Sequence, residues 1–234
     1  MGRSAGENVT GDYNNSNGYA AGQFVTGNRN DAAGSNAGQR VTGSDNEAYG
    51  TSAGSNVTGN ANQAYGSGAG SSVNGSNNIA SGQGAGVGVT GSRNQSSGLQ
   101  AGAQVSGNDN LAMGQSAGGG VQGSQNLSFG NAAGLAVAGN GNVAQGNGAG
   151  QHVSGDGNIA IGNDAGVYVS ASRSMSLGNA SRASADDAIA LGSSATAAHA
   201  KQRGLGCTQR DHARRAVRVQ SRRPGHGGPA AGPD

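Results

Sequence analysis

One spacing constrains this chain more than any other property: valine recurs every sixteen residues. Val9, Val25, Val41, Val57, Val73, Val89, Val105, Val121, Val137, Val153 and Val169 stand in one column without a miss. A second column, from Gly2 through Gly18 and Gly34 to Gly162 and Gly178, is glycine at all twelve places, and an Ala-Gly pair recurs in step from Ala5-Gly6 to Ala165-Gly166. A turn-like string of Gly, then Asn, Ser or Asp, then any residue, then Asn also repeats, as in Gly27-Asn28-Arg29-Asn30, until Ala171-Ser172-Arg173-Ser174 degrades it. A fixed period shorter than an independent domain means that each unit buries its apolar residues only against its neighbours, which predicts a solenoid.

Composition enters here because, alone, it points elsewhere. With 48 glycines, two phenylalanines and no tryptophan, a chain without pattern would bury too little apolar surface to order itself. The unbroken period argues against disorder, and glycine is not at every third position, so collagen is excluded. The net charge of +2 joins two unlike segments. Residues 1–200 hold six arginines against ten acids, near −4, whereas the segment from Lys201 holds eight cations against Asp211 and Asp234. The repeat body has neither a basic stripe nor an aromatic platform, which argues against nucleic acid as a partner. The single cysteine, Cys207, leaves the repeats without disulfide or thiolate metal site. No apolar run is long enough to cross a bilayer as a helix, so no direct membrane insertion is expected. No apolar signal segment opens the chain; it enters its repeat in mid-unit, which suggests a natural start further upstream.

Within each unit the residues after the Asn column read as a short strand, for example Ile159-Ala160-Ile161-Gly162. Strand side chains alternate faces. The middle position is always Ala or Ser, from Ala32 to Ala160, and is assigned to the inside of a narrow coil. Its two neighbours face outward. They are polar early (Asn15 and Asn17, Asp31, Glu47) and apolar later: Leu111 and Met113, Leu127 and Phe129, Ile159 and Ile161, Met175 and Leu177, Ile189 and Leu191. An apolar column outside a solenoid needs a cover, and the economical cover is the same column of another chain. These ten residues are therefore the candidate interface of a homotrimer, and the valines from Val25 to Val169 the candidate interior. A second strand is expected from Ala165 to Val169, with Ala and Val sharing the inward face. The Asn column either stacks its amides along the axis or occupies left-handed turns that Asn tolerates.

After Gly178 the stride shortens to fourteen: Gly178 is followed by Gly192, and Ile189-Ala190-Leu191-Gly192 repeats the earlier strand. The string Ala183-Ser184-Ala185-Asp186-Asp187-Ala188-Ile189-Ala190-Leu191-Gly192-Ser193-Ser194-Ala195 resembles the head repeat of YadA-like trimeric autotransporter adhesins of Gram-negative bacteria. The likeness is specific over residues 175–198 and looser over the sixteen-residue units. It implies a left-handed parallel β-roll of sixteen-residue coils passing into fourteen-residue coils. Three such chains would form a fibre head at the outer membrane and cell surface that binds host matrix, host cells or its own kind, without cofactor or catalysis. Neither the stalk nor the anchor of that family is expected in this chain.

No catalytic constellation stands beside that reading. The four histidines share no column, and His152 is read as a solvated outer-strand residue. Asp156, Asp164, Asp186 and Asp187 lack the calcium cadence of nine-residue repeats and are read as solvated turn residues. Gly-x-Gly strings carry no phosphate-loop meaning at this glycine content. An ice-binding solenoid is prompted by Thr10, Thr26, Thr42, Thr58 and Thr90, but the column fails at Asn74, Gln122 and Ala138. A β-helical polysaccharide-active enzyme would need a cluster of acids or arginines across coils. Residues 201–234 are expected to be a disordered basic tail read in a shifted frame. Codon degeneracy permits, in the alternative frame, a further fourteen-residue unit with its glycine at position 206, and on that expectation Cys207 and the tail arginines would carry no function.

Overall fold

The computed structural model describes residues 2–205. Over that span the chain is an all-β parallel β-solenoid of about twelve turns, with no helix among the described residues. Its strands are three residues long: β1 Asn15–Asn17, β2 Asp31–Ala33, β3 Glu47–Tyr49, β4 Gln63–Tyr65, β5 Ile79–Ser81, β6 Gln95–Ser97, β7 Leu111–Met113, β8 Leu127–Phe129, β9 Val143–Gln145, β10 Ile159–Ile161 and β11 Met175–Leu177. Beyond these lie β12 Arg182–Ala183, β13 Ile189–Leu191, β14 Thr196–Ala197 and β15 Arg203–Leu205. Thirteen of them form one sheet, in the order β1 to β11, then β13 and β15, while β12 and β14 pair separately.

All pairings are parallel and in step with the repeat. Ala144 faces Ala160 and Ala160 faces Ser176; later Met175 pairs with Ile189, and Ile189 with Arg203. The sheet thus runs past residue 200 into β15, three residues that the sequence reading placed in the tail. Residues 206–234, with Cys207 and most of the proposed change of frame, lie outside the described residues.

The interior has two parts. Valines from Val25 to Val169 form one continuous buried column. Opposite it, buried alanines alternate between the strand centres and the Ala-Gly pairs, as in Ala32, Ala37 and Ala48. The alanine column breaks into separate clusters where Ser96, Ser128 and Ser176 take strand centres. Strand centres are small because the glycine of each Ala-Gly pair presses on them: a Cβ on Gly38 would come to 2.7 Å of the Ala32 Cβ, and one on Gly102 would collide with the Ser96 hydroxyl. The column ending at Gly162 and Gly178 has another cause. Gly162 sits at φ 129, and a Cβ there would lie 2.7 Å from the backbone of Gly178 in the next coil, a conformation and an approach open only to glycine.

The segment Ala165 to Val169 corrects the sequence reading. It is not a second strand but a run of turns ending at the isolated bridge of Ser170. Asp164, Gly166 and Tyr168 all have φ between 51 and 62, left-handed values that fold the chain back on itself instead of extending it. Ala165 and Val169 still point inward, at 0% and 1% exposure, so the inward faces were legible while the backbone path was not. A true second strand occurs only in the last coils, where Arg182 pairs with Thr196.

Candidate functional site

Two side-chain ladders run from coil to coil along the solenoid. In the inner one, the Asn46 side chain donates to Asn30 Oδ1 at 2.9 Å and to the Gly59 carbonyl at 2.9 Å, and the Asn46 backbone N–H donates to the same Asn30 oxygen. The pattern repeats to Asn158, whose Oδ1 accepts the hydroxyl of Ser174 at 2.7 Å, so the serine closes the ladder. None of these asparagines has a positive φ. Of the two readings of the Asn column, the structure has the amide ladder. No described buried side-chain nitrogen or oxygen lacks a partner, which is the condition for a polar column inside a coil to be tolerated.

The outer ladder was not anticipated. The second residue of each Gly-Asn/Ser/Asp string offers an oxygen to the backbone N–H of its counterpart one coil earlier: Asn28 takes an N–H from Asp12, Ser44 from Asn28, Asn60 from Ser44, and so on to Asp156, Ser172 and Asp186. Its signal in the sequence is the restriction of that position to Asn, Ser or Asp, short side chains that accept hydrogen bonds. Asp156 and Asp186 are thus structural acceptors within exposed turns.

The following turn position carries ion pairs between successive coils. Arg29 meets Asp45 at 2.6 Å, Arg93 meets Asp109 at 2.6 Å, and Arg173 meets Asp187 at 2.7 Å. Each pair is two-pronged, with a second nitrogen donating to the other carboxylate oxygen. The hydrogen bond from its arginine is the largest cause holding each aspartate below the ordinary carboxylate range, and it raises each arginine in turn.

The broad outward surface is the exposed face of the thirteen-stranded sheet, and its chemistry changes along the axis. On β7 to β13 it carries Leu111, Leu127, Phe129, Ile159, Ile161, Met175, Leu177 and Ile189, all half-buried by their own neighbours, with Met113 42% and Leu191 45% exposed. The structure aligns the ten residues of the candidate interface in this one strip. No charged residue occurs on the strands from β7 to β11 or on β13.

On β2 to β4 the same face carries Asp31, Glu47, Tyr49 and Tyr65. The tyrosine rings stack with centroids 5.6 Å apart and planes 5° apart, and the Tyr65 hydroxyl donates to Glu47. That hydrogen bond is the largest cause pushing the Tyr65 phenol up to about 12, followed by burial. Burial first, then the charges of Asp31 and Glu47, raises Tyr49. The spacing of sixteen between Tyr49 and Tyr65 is the signal that could have revealed the stack.

His152 is exposed, as the sequence reading had it, but its placement in a strand is corrected. It lies in a turn at φ 53, not in a strand, and its ring stacks on that of Tyr168, with centroids 4.9 Å apart and planes 2° apart. Arg182 reaches the Tyr168 carbonyl at 2.7 Å. Thr10, Thr26, Thr42 and Thr58 are exposed and joined by isolated parallel bridges. Among the described residues no group of three or more His, Cys, Asp or Glu could hold a metal ion, and no helix is long and apolar enough to cross a membrane. A scan against protein-family models and a comparison with curated proteins both find no match for this chain.

Proposed function

We propose that this chain is the head, or passenger, part of a bacterial surface adhesin similar to the YadA-like trimeric autotransporters, acting by binding and not by catalysis. In this reading the solenoid is left-handed, its last coils are the shortened fourteen-residue type, and three copies pack side by side through the apolar strip from Leu111 to Leu191. The observation that carries it is the in-register stacking of one outward sheet face over thirteen strands. At about 4.8 Å per strand such a face is about 58 Å long, and it sets equivalent groups in straight lines. Weak identical contacts along one rod add through effective concentration, which suits matrix proteins, host cell surfaces or a second rod as partners. The place of action is the bacterial cell surface, and nucleic acid is not among the partners.

Binding of the full chain to immobilised matrix proteins, epithelial cells and itself tests this reading, with light scattering to give the assembly. Saturable binding by an assembled species is expected. A stable monomer that binds none of these surfaces overturns it.

The exposed line of Thr10, Thr26, Thr42 and Thr58 favours a second reading, an ice-binding or purely structural solenoid. Thermal hysteresis would identify the ice-binding form. The interruption of the line at Asn74, Gln122 and Ala138 is the reason it stands second.

A further inference from the structure

The outward sheet face is one surface with two chemistries, and they have opposite consequences for a second copy of this chain. Copies packed side by side in parallel, about an axis along the solenoid, keep each residue at the height of its own counterpart, so that each coil meets the same coil of its neighbour. On β7 to β11 and β13 the counterparts are leucines, isoleucines, methionines, a phenylalanine, Val143 and the uncharged Gln145, at the same height in every copy. At β2 and β3 the counterparts are Asp31 and Glu47, carboxylates that follow each other in adjacent coils of one column.

Among the described residues, neither carboxylate is ion-paired with a cation. The ion pairs among the described residues are those of Arg29 with Asp45, Arg93 with Asp109 and Arg173 with Asp187. Arg29, close by in sequence, is committed to Asp45 on the turn edge. The Tyr65 hydroxyl donates to Glu47 and disperses its charge without removing it. Like charges brought opposite one another across strands are destabilising, and they are more so where packing excludes water.

We infer that side-by-side association of copies is confined to the apolar half of the sheet, β7 to β13, and that Asp31 and Glu47 hold the β2 to β4 faces of the copies apart. The inference rests on the association read under Proposed function and refines it, since an interface running the whole length of the solenoid is the alternative. Its consequence is that the stacked Tyr49 and Tyr65 rings, with Asp31 and Glu47, stay open to solvent in the assembly. The coils nearest the N-terminus then present a surface of different chemistry from the shared strip.

Cysteine cross-linking of the full chain tests this. Cys207 is first replaced (Cys207→Ser). A single cysteine is then placed on the outward side of the last residue of a strand, at Gln145→Cys in β9 or at Ala33→Cys in β2. Mild oxidation at low ionic strength is expected to join copies through Gln145→Cys at least tenfold faster than through Ala33→Cys. Adding Asp31→Asn and Glu47→Gln to the Ala33→Cys chain is expected to raise its rate toward that of Gln145→Cys. Equal rates in the chain that keeps both carboxylates overturn the inference while leaving the association intact. A slow Ala33→Cys rate that the two neutral substitutions do not raise removes the carboxylates as its cause and also overturns it. No cross-link at Gln145→Cys overturns the association itself, and the inference with it.

Discussion

Gly38 lies against Ala32 across the interior of the solenoid, so close that a Cβ on the glycine would stand 2.7 Å from the alanine's own. Gly68 offers the matching control. It has a similar φ of 68, but a Cβ there would meet nothing within 4 Å. Gly68→Ala therefore carries only the left-handed penalty, about 1 kcal/mol. Gly38→Ala carries that penalty and the overpacking of a filled core, about 1–3 kcal/mol more. Urea unfolding of the two variants measures the difference. Equal losses would mean that the interior can open around Gly38.

The Asn ladder predicts a larger loss from a single side chain. Asn94 Oδ1 accepts both the backbone N–H and the side-chain N–H of Asn110, at 3.1 and 3.0 Å, and its amide donates to Asn78 Oδ1 and to the Gly107 carbonyl. Asn94→Ala strands several of these buried groups, at a cost on the order of 3 kcal/mol. Asn94→Asp keeps the acceptor but turns an oxygen toward the Gly107 carbonyl. The fold then favours the protonated acid, so that variant gains stability as pH falls. Thermal melts at pH 4 and pH 8 check the sign.

These two relationships show how far the sequence could be read. The recurrence of Val153 and Val169, and of Ala160 against Ser176, fixes which side chains point inward, because burial leaves a trace in residue type. The backbone path leaves a weaker one. Ala165 to Val169 alternates like a strand, yet Asp164 and Tyr168 take left-handed conformations that their identities alone do not announce. Contacts between coils were legible only as arithmetic. Arg29 and Asp45, or Tyr49 and Tyr65, are sixteen residues apart, and the spacing becomes a contact only once the sixteen-residue coil places them in adjacent turns. The outward apolar strip is visible in the residues from Leu111 to Leu191, while what covers it is not a property of one chain.

The exposed ion pairs predict a small effect with a defined pH window. Asp109 is held below its ordinary value chiefly by the hydrogen bond from Arg93. A carboxylate whose folded value is depressed adds stability above its unfolded value, about 3.9, and loses it as pH falls through the folded one. Asp109→Asn should therefore lower the melting temperature slightly at pH 7, and by less at pH 2 or in high salt, where screening weakens exposed pairs. A difference that persists unchanged at pH 2 would show that the carboxylate acts by something other than its charge.

Tyr65 gives the opposite sign at the other end of the pH scale. Its phenol is pushed up to about 12, first by the hydrogen bond it donates to Glu47, then by burial and by the neighbouring charges. A raised phenol means that the fold favours the protonated form. Its contribution to stability is complete below the ordinary value of about 10 and is lost as pH rises through about 12. Phenolate absorbance, followed over the range in which circular dichroism stays constant, should show a late step of Tyr65 beside the raised titration of Tyr49, and Tyr65→Phe should remove the Tyr65 step. Glu47→Gln should move that step down toward 10, since the amide accepts the hydroxyl less strongly and carries no charge to oppose a phenolate. If the late step is unmoved in Glu47→Gln, the pairing of Tyr65 with Glu47 does not govern this part of the sheet face. The stacked rings would then owe their shift to burial and to each other.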